Sequence, residues 1–392
     1  MKIKTPFSNE TSLQRALDDI ERQLRGFSPT VLVVAFNTQF DGDALVTELE
    51  ARFGCSTIGG SSCKGALVIN GDKTESQAAI SLFAIHDPEG HYGVGYSTLV
   101  EGQIQLCATS ALDMALYASG RGFESPSLIW CILPPGHEEQ ILEGFQSVVG
   151  NNVPIIGGSS ADNDVSGQWQ QISTLTSAND QIVVLALYPS SGIGFSFSSG
   201  YKPTGKVVTA TASQGRLLTQ LDDEPAAACY NRLTNGSISD FIESGNVLSI
   251  TTLHPLGRII DSQAEIKEFV LSHPDSIADG QALTLFSEIK EGEQLHIMEG
   301  SKHSLIQRAS RVINNAIDLI PNNRKAAGVL LIYCAGCMLT IEDDLHKMLE
   351  SLQQSLPNLP IMGIYTFGEQ GCFLDGKSRH GNLMISAVAF SQ

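Results

Sequence analysis

Basic residues are scarce in this chain: 24 Lys and Arg stand against 42 Asp and Glu, for a net charge of −18. That sign repels phosphate backbones and anionic headgroups, which sets nucleic acid aside as a partner. Long apolar runs are missing as well. None approaches the roughly 18 residues of a membrane span, and the start, Met1-Lys2-Ile3-Lys4-Thr5-Pro6-Phe7, turns polar before a signal peptide can form. No membrane insertion is expected, and the location is expected to be cytoplasmic. Catalytic signatures are absent too. There is no His-Glu-x-x-His, no nucleophile-elbow serine and no Cys-x-x-Cys-His, so hydrolase chemistry has no sequence support and the chain is expected not to be an enzyme.

Charged residues make up only 17% of the chain and apolar ones 42%, a globular balance without the charge excess of disordered proteins. At 392 residues two domains are the expectation. The eight cysteines include Cys107, Cys131 and Cys229 inside apolar patterns, where they read as reduced, small core residues.

What is present is a unit that occurs three times: an apolar run, a small-residue loop, an amphipathic helix and a second apolar run ending in a glycine-rich loop. The copies run from Val31 to Gly65, from Leu128 to Asn163 and from Val329 to Gly371. Their helical stripes are Leu45, Leu49 and Phe53; Ile141, Leu142, Phe145 and Val149; and Leu345, Leu349, Leu352 and Leu356. Acids open each helix (Asp41 and Asp43, Glu138 and Glu139, Glu342 to Asp344), which suits its positive end. Another strand follows each loop, at Ala78–Ile85, Ile182–Tyr188 and Leu383–Phe390. The expected fold is α/β: two related halves with mixed β-sheets flanked by helices and an internal β-α-β-β duplication. Residues 190 to about 300 read as strand-like and turn-rich, with one helix after Pro225. The chain turns small and polar at Asn235-Gly236-Ser237, which divides it into 1–235 and 236–392.

Because a strand–helix–strand crossover returns to the same sheet edge, the glycine loops are expected at the carboxyl ends of strands, where α/β proteins hold small ligands. Ser159, Ser160, Asp162, Tyr365, Glu369 and Cys334 are therefore expected to line one pocket, with Tyr365 offering a flat contact and Glu369 a carboxylate. The competing reading is a tight turn. Neither Gly59-Gly60-Ser61-Ser62 nor Gly157-Gly158-Ser159-Ser160 has Walker or dinucleotide spacing. Cys334-Ala335-Gly336-Cys337 has the spacing of redox and metal sites; further metal ligands would have to come from Cys63, Cys372 or His380, and two buried small residues is the plain alternative.

Several segments resemble the FIST family (F-box and intracellular signal transduction): Pro154 to Asp162; Gly200-Tyr201-Lys202-Pro203-Thr204-Gly205 with Pro225-Ala226-Ala227 and Tyr230; His254-Pro255-Leu256-Gly257; Cys334-Ala335-Gly336; and Gly363 to Gly371. They stand in the family's order across nearly the whole chain. The resemblance implies a FIST N-like and a FIST C-like sensory domain that binds a small molecule. It extends to stand-alone members described as haem-dependent nitric oxide sensors that regulate a sensor histidine kinase in a two-component system. What it implies for this chain is haem as cofactor, with His254 or His380 as the iron ligand. An amino-acid or metabolite sensor without haem, and a metal or redox sensor using Cys334 and Cys337, are the alternatives. Self-association is left open.

Overall fold

The computed structural model describes residues 1–260, 263 and 265–392. Each of the three units builds one mixed sheet around a central parallel pair of strands: Val31–Phe36 with Ser56–Ser61, Leu128–Leu133 with Ile155–Ser159, and Ala326–Cys334 with Ile361–Thr366. Strands Ile80–His86, Gln181–Tyr188 and Ile385–Ser391 flank these pairs in antiparallel fashion, and Lys2–Lys4, His91–Thr98 and Ile193–Ser198 extend the sheets on that side. The fold class expected from the sequence, mixed sheets flanked by helices with internal duplication, is observed.

The apolar runs form strands buried on both faces, as a sheet covered by helices requires. Val31, Val33 and Ala35 alternate inward to a central core that they share with Trp130, Ile132, Leu330 and Ile332 of the other two units. Leu32, Val34 and Phe36 point the other way, onto helices Leu13–Gln23 and Gly42–Phe53. The three sheets thus enclose one core and carry their helices outside. Local signals agree: Asp41 caps the helix that starts at Gly42 by accepting from Ala44 N at 2.9 Å, and Gly54 ends it in the left-handed region at φ 55°.

The hairpin after each glycine loop crosses to a neighbouring sheet. Strand Ala66–Asn70 pairs with Ile361–Thr366 of the third unit; Gly368–Cys372 of the third pairs with Ile155–Ser159 of the second; Gln171–Ser173 of the second pairs with Ser56–Ser61 of the first. The exchange is cyclic.

A fourth sheet, of nine strands between Lys202 and Glu299, is inserted into the third unit ahead of helix Lys302–Asp318. It has a core of its own, in which Leu218, Leu283 and Leu295 surround Cys229 and Tyr230 of the helix Ala226–Leu233. Its hairpin Leu256–Ile259 and Phe269–Ser272 reaches back to the three-unit body, where Asn382 N donates to Leu271 O. Among the described residues no helix is long and apolar enough to cross a membrane.

Candidate functional site

The three glycine loops meet at one junction, closed by a ring of backbone hydrogen bonds between equivalent positions. Ala161 N donates to Ser61 O at 3.0 Å, Phe367 N to Ser159 O at 3.1 Å, and Cys63 N to Tyr365 O at 3.2 Å. The glycines serve this packing. A Cβ on Gly157 would lie 1.9 Å from Cys131 O, and one on Gly59 would lie 2.4 Å from Val34 O. A Cβ on Gly60 or Gly158 would strike Ser160 or Thr366 of the next unit.

The six pocket residues expected from the sequence gather around this junction, but the polar atoms of Ser159, Asp162, Tyr365 and Glu369 are spent inside the protein. Ser159 Oγ donates to Glu138 at 2.7 Å, and Asp162 accepts from Val165 N at 2.6 Å and Gln168 N at 2.8 Å. Tyr365 donates to Ser76 O at 2.8 Å. Glu369 accepts from Thr366 Oγ1 at 3.0 Å and Met384 N at 2.9 Å, and burial pushes its carboxyl well above the ordinary range. Ser160 Oγ is buried with no partner. Cys334 is buried beside Cys337, and among the described residues no third His, Cys, Asp or Glu joins the two to form a metal site.

A buried acidic pair lies beside this junction. Glu138, in the first turn of helix Glu138–Val149, is buried, and Arg216 Nη2 of the inserted sheet reaches it at 2.6 Å and Glu139 at 2.8 Å. Burial alone raises the Glu138 carboxyl, but His380, Arg216 and the Ser159 hydroxyl outweigh it and hold it at about 2. Glu138, Glu139 and His380 place ligand atoms within 4.8 Å of one another. Arg216 already supplies the cation there. Because the carboxyl falls from an ordinary 4.5 to about 2 on folding, its stabilisation is complete above pH 4.5 and lost as pH drops toward 2. The expected result is a loss of stability through that window, and a flatter acid limb in Glu138→Gln, read by denaturant unfolding at each pH.

Two cavities flank the inserted hairpin. One, of about 290 Å³, is lined by Glu139, Glu143, Arg258, Glu293, Arg379 and His380 among others. The other, of about 370 Å³, has Phe197, Ser199, Tyr201, Phe269, Arg311 and Phe373 in its wall. Arg258 donates to Glu288 O at 2.8 Å and lies 3.7 Å from Glu293, while its buried Nε has no partner.

His380 and His254 do not fit as haem ligands. His380 is 4% exposed; its Nδ1 lies 3.2 Å from Gln370 Nε2 and its Nε2 3.3 Å from Phe286 O, so both ring nitrogens are engaged. A Cβ on Gly368 would stand 2.4 Å from the ring, which leaves no room for a macrocycle on that side. His254 is half-buried on the turn before Leu256, holds Tyr230 Oη by its carbonyl at 2.7 Å, and lines neither cavity beside the hairpin.

Sequence reasoning passed over Arg216, Arg258 and Arg308. Arg308 carried a signal, since it falls on the apolar stripe of Leu305, Ala309 and Val312. The segment Gly371 to Ser378 also matches the letters of a phosphate loop, Gly-x-x-x-x-Gly-Lys-Ser. It forms a β-turn between antiparallel strands, with Phe373 N donating to Lys377 O at 3.1 Å and no helix to follow, so it is no phosphate cradle.

Fold and site together define a mixed α/β protein of duplicated units whose clefts lie where the units meet an inserted sheet. The chain belongs to the FIST family: the FIST N domain matches residues 30–224 and the FIST C domain residues 226–372. Domains of this family are small-ligand sensory domains of signalling proteins. No curated protein matches the sequence. Two solved structures are similar along the whole length: a cyanuric acid hydrolase described as an evolutionary innovation by structural concatenation (8% identity, TM-score 0.35, 99% of this chain and 98% of that one), and the cyanuric acid hydrolase of A. caulinodans (9%, 0.35, 100% and 99%). The expectation that the chain is not an enzyme is corrected by this finding, because both of these structures are of hydrolases. At this TM-score the likeness brings no substrate or reaction to the chain.

Proposed function

We propose that the protein senses a small zwitterion of the amino-acid type, bound in the 290 Å³ cleft beside His380, and passes its occupied state to a signalling partner. The observation that carries the reading is the Arg258 guanidinium, which donates to Glu288 O, lies 3.7 Å from Glu293 and keeps a buried Nε without a hydrogen-bond partner among the described residues. An α-carboxylate supplies that partner. The carboxylates of Glu139, Glu143 and Glu293 line the same cleft and offer partners to an ammonium group. The volume suits a metabolite of that size, near the lower end of ligand cavities, roughly 300–1000 Å³.

The cleft lies between helix Glu138–Val149 and the inserted hairpin, so a ligand that touches both favours one placement of the inserted sheet over another. The partner in this reading is a sensor histidine kinase, reached by surface contact. A net charge of −18 favours a basic docking patch on it and predicts an association that weakens with added salt. Titration calorimetry with the common amino acids tests the ligand. Arg258→Ala is expected to weaken binding at least about tenfold, the factor carried by a lost charge-assisted hydrogen bond. Equal affinity in wild type and variant, or no binding by any of them, would remove the proposal.

A further inference from the structure

The most unusual buried chemistry lies away from that cleft, where strand Ala326–Cys334 passes into helix Ala335–Thr340. Arg308 is fully buried here. Its Nη1 donates to Ser199 O at 2.6 Å and Leu383 O at 2.7 Å, and its guanidinium stacks 4.7 Å over the Tyr333 ring. Nε and Nη2 make no hydrogen bond. Among the described residues no carboxylate bonds to this guanidinium, and burial holds the carboxyl of neighbouring Glu369 well above the ordinary range. The group that acts on it electrostatically is the sulfur of Cys337, which lies 3.5 Å from the Tyr201 hydroxyl and three residues from Cys334 on the same helix start.

We propose that Cys334 and Cys337 are a peroxide-sensing dithiol, in which Cys337 attacks the oxidant and Cys334 closes the disulfide. The geometry supplies each part. Cys337 is the nucleophile: the Tyr201 hydroxyl stands 3.5 Å from its sulfur, and although burial raises its thiol, Cys334, Arg308 and Tyr201 more than offset burial and bring it down to about 6, which favours the thiolate. Cys334 is pushed well above the ordinary range by burial and stays a thiol until it is needed. Residues three apart at a helix start are neighbours, the spacing of resolving pairs. Tyr201 and Ser199 are also wall residues of the 370 Å³ cavity, so one side chain separates the thiolate from space open to a molecule little larger than water.

The step balances. The Cys337 thiolate forms a bond to one peroxide oxygen as the O–O bond breaks, giving a sulfenic acid and hydroxide. The hydroxide takes the Cys334 proton and becomes water; the new thiolate attacks Cys337 sulfur, the S–S bond forms, and the S–O bond breaks to release a second hydroxide. One thiolate, one thiol and one hydrogen peroxide become one disulfide, one water and one hydroxide. Arg308 then loses its counter-charge while still bonded to Ser199 O, in the segment that joins the third unit to the inserted sheet. Oxidation is thereby linked to that connection.

The test uses the reduced full chain exposed to hydrogen peroxide, alkylated, and cleaved with trypsin. Both cysteines fall in the single peptide Ala326–Lys347. That peptide is expected to lose two hydrogens, reversibly with dithiothreitol, before half-buried Cys55 reacts. Cys334→Ser should stop at a dimedone-trappable sulfenic acid on Cys337, and Cys337→Ser should leave Cys334 unmodified. Tyr201→Phe, which keeps the ring, should oxidise roughly tenfold more slowly, the factor carried by a lost hydrogen bond to a charged group. Hydrogen exchange across Ser196–Lys202 should rise on oxidation. A peptide that remains a dithiol while Cys55 is oxidised, or a Cys337→Ser protein in which Cys334 reacts as fast as in wild type, overturns the proposal. Amino-acid titration at Arg258 is independent of these thiols, so either reading can fail alone.

Discussion

Gly157→Ala is expected to destabilise the protein by roughly 3–5 kcal/mol, at the severe end of single substitutions. Its Cβ would lie 1.9 Å from Cys131 O, on the parallel partner strand, and no rotamer relieves a contact between a Cβ and a backbone carbonyl. The strands must move apart, which disturbs the pairing of Gly157 with Cys131 and the ring of hydrogen bonds at the junction. The pseudo-equivalent positions provide a graded control. The same atom would stand 2.4 Å from Val34 O at Gly59, and 3.2 Å from its nearest neighbour, Leu67 Cβ, at Gly363. The expected order of destabilisation is Gly157→Ala, then Gly59→Ala, then Gly363→Ala. Gly122→Ala, whose nearest atom is at 3.7 Å, should be neutral to within about 0.5 kcal/mol. Urea unfolding of the four variants decides the matter; equal effects at Gly157 and Gly122 would show that the close approach carries no energetic weight.

Arg308→Met is expected to cost about 3–5 kcal/mol, since it strips a fully buried guanidinium from two buried carbonyls. Methionine fills much of the volume, so the loss is mainly polar. Ser199 O and Leu383 O lose their donor, and Cys337 loses the positive charge that stabilises its thiolate. The thiol is therefore expected to rise from about 6, because burial, which raises it, is then opposed only by Cys334 and Tyr201. Thiolate absorbance near 240 nm, followed against pH, reads this separately from unfolding. A thiol that still titrates near 6 in a folded Arg308→Met protein would mean that Arg308 does not set it.

Much of this architecture was legible from residue pattern alone. Strand runs such as Val31–Phe36 and Leu128–Leu133 and helix stripes such as Leu45 and Leu49 are local signals, fixed by burial on two faces or one. The glycine pairs also marked the right places, at strand ends that meet. Their purpose was not legible: a loop that admits a phosphate and a strand that admits another strand require the same missing side chain. Arg308 was legible in part, as a charge on an apolar stripe, though its partner lies elsewhere in the chain.

By itself, then, the sequence determined the repeated unit, the elements within it, the family and the small-ligand sensory class, because each depends on residues close in the chain or on their order along it. Only the tertiary structure decided the cyclic exchange of hairpins, the pairing of Arg216 with Glu138, the ties on both nitrogens of His380 and the burial of Arg308 among carbonyls near Cys337. Apart from the Gln370 tie of His380, which closes a hairpin, each of these joins residues tens to hundreds of positions apart. Burial and charge at such contacts are set by what arrives from the other unit, which no local pattern encodes.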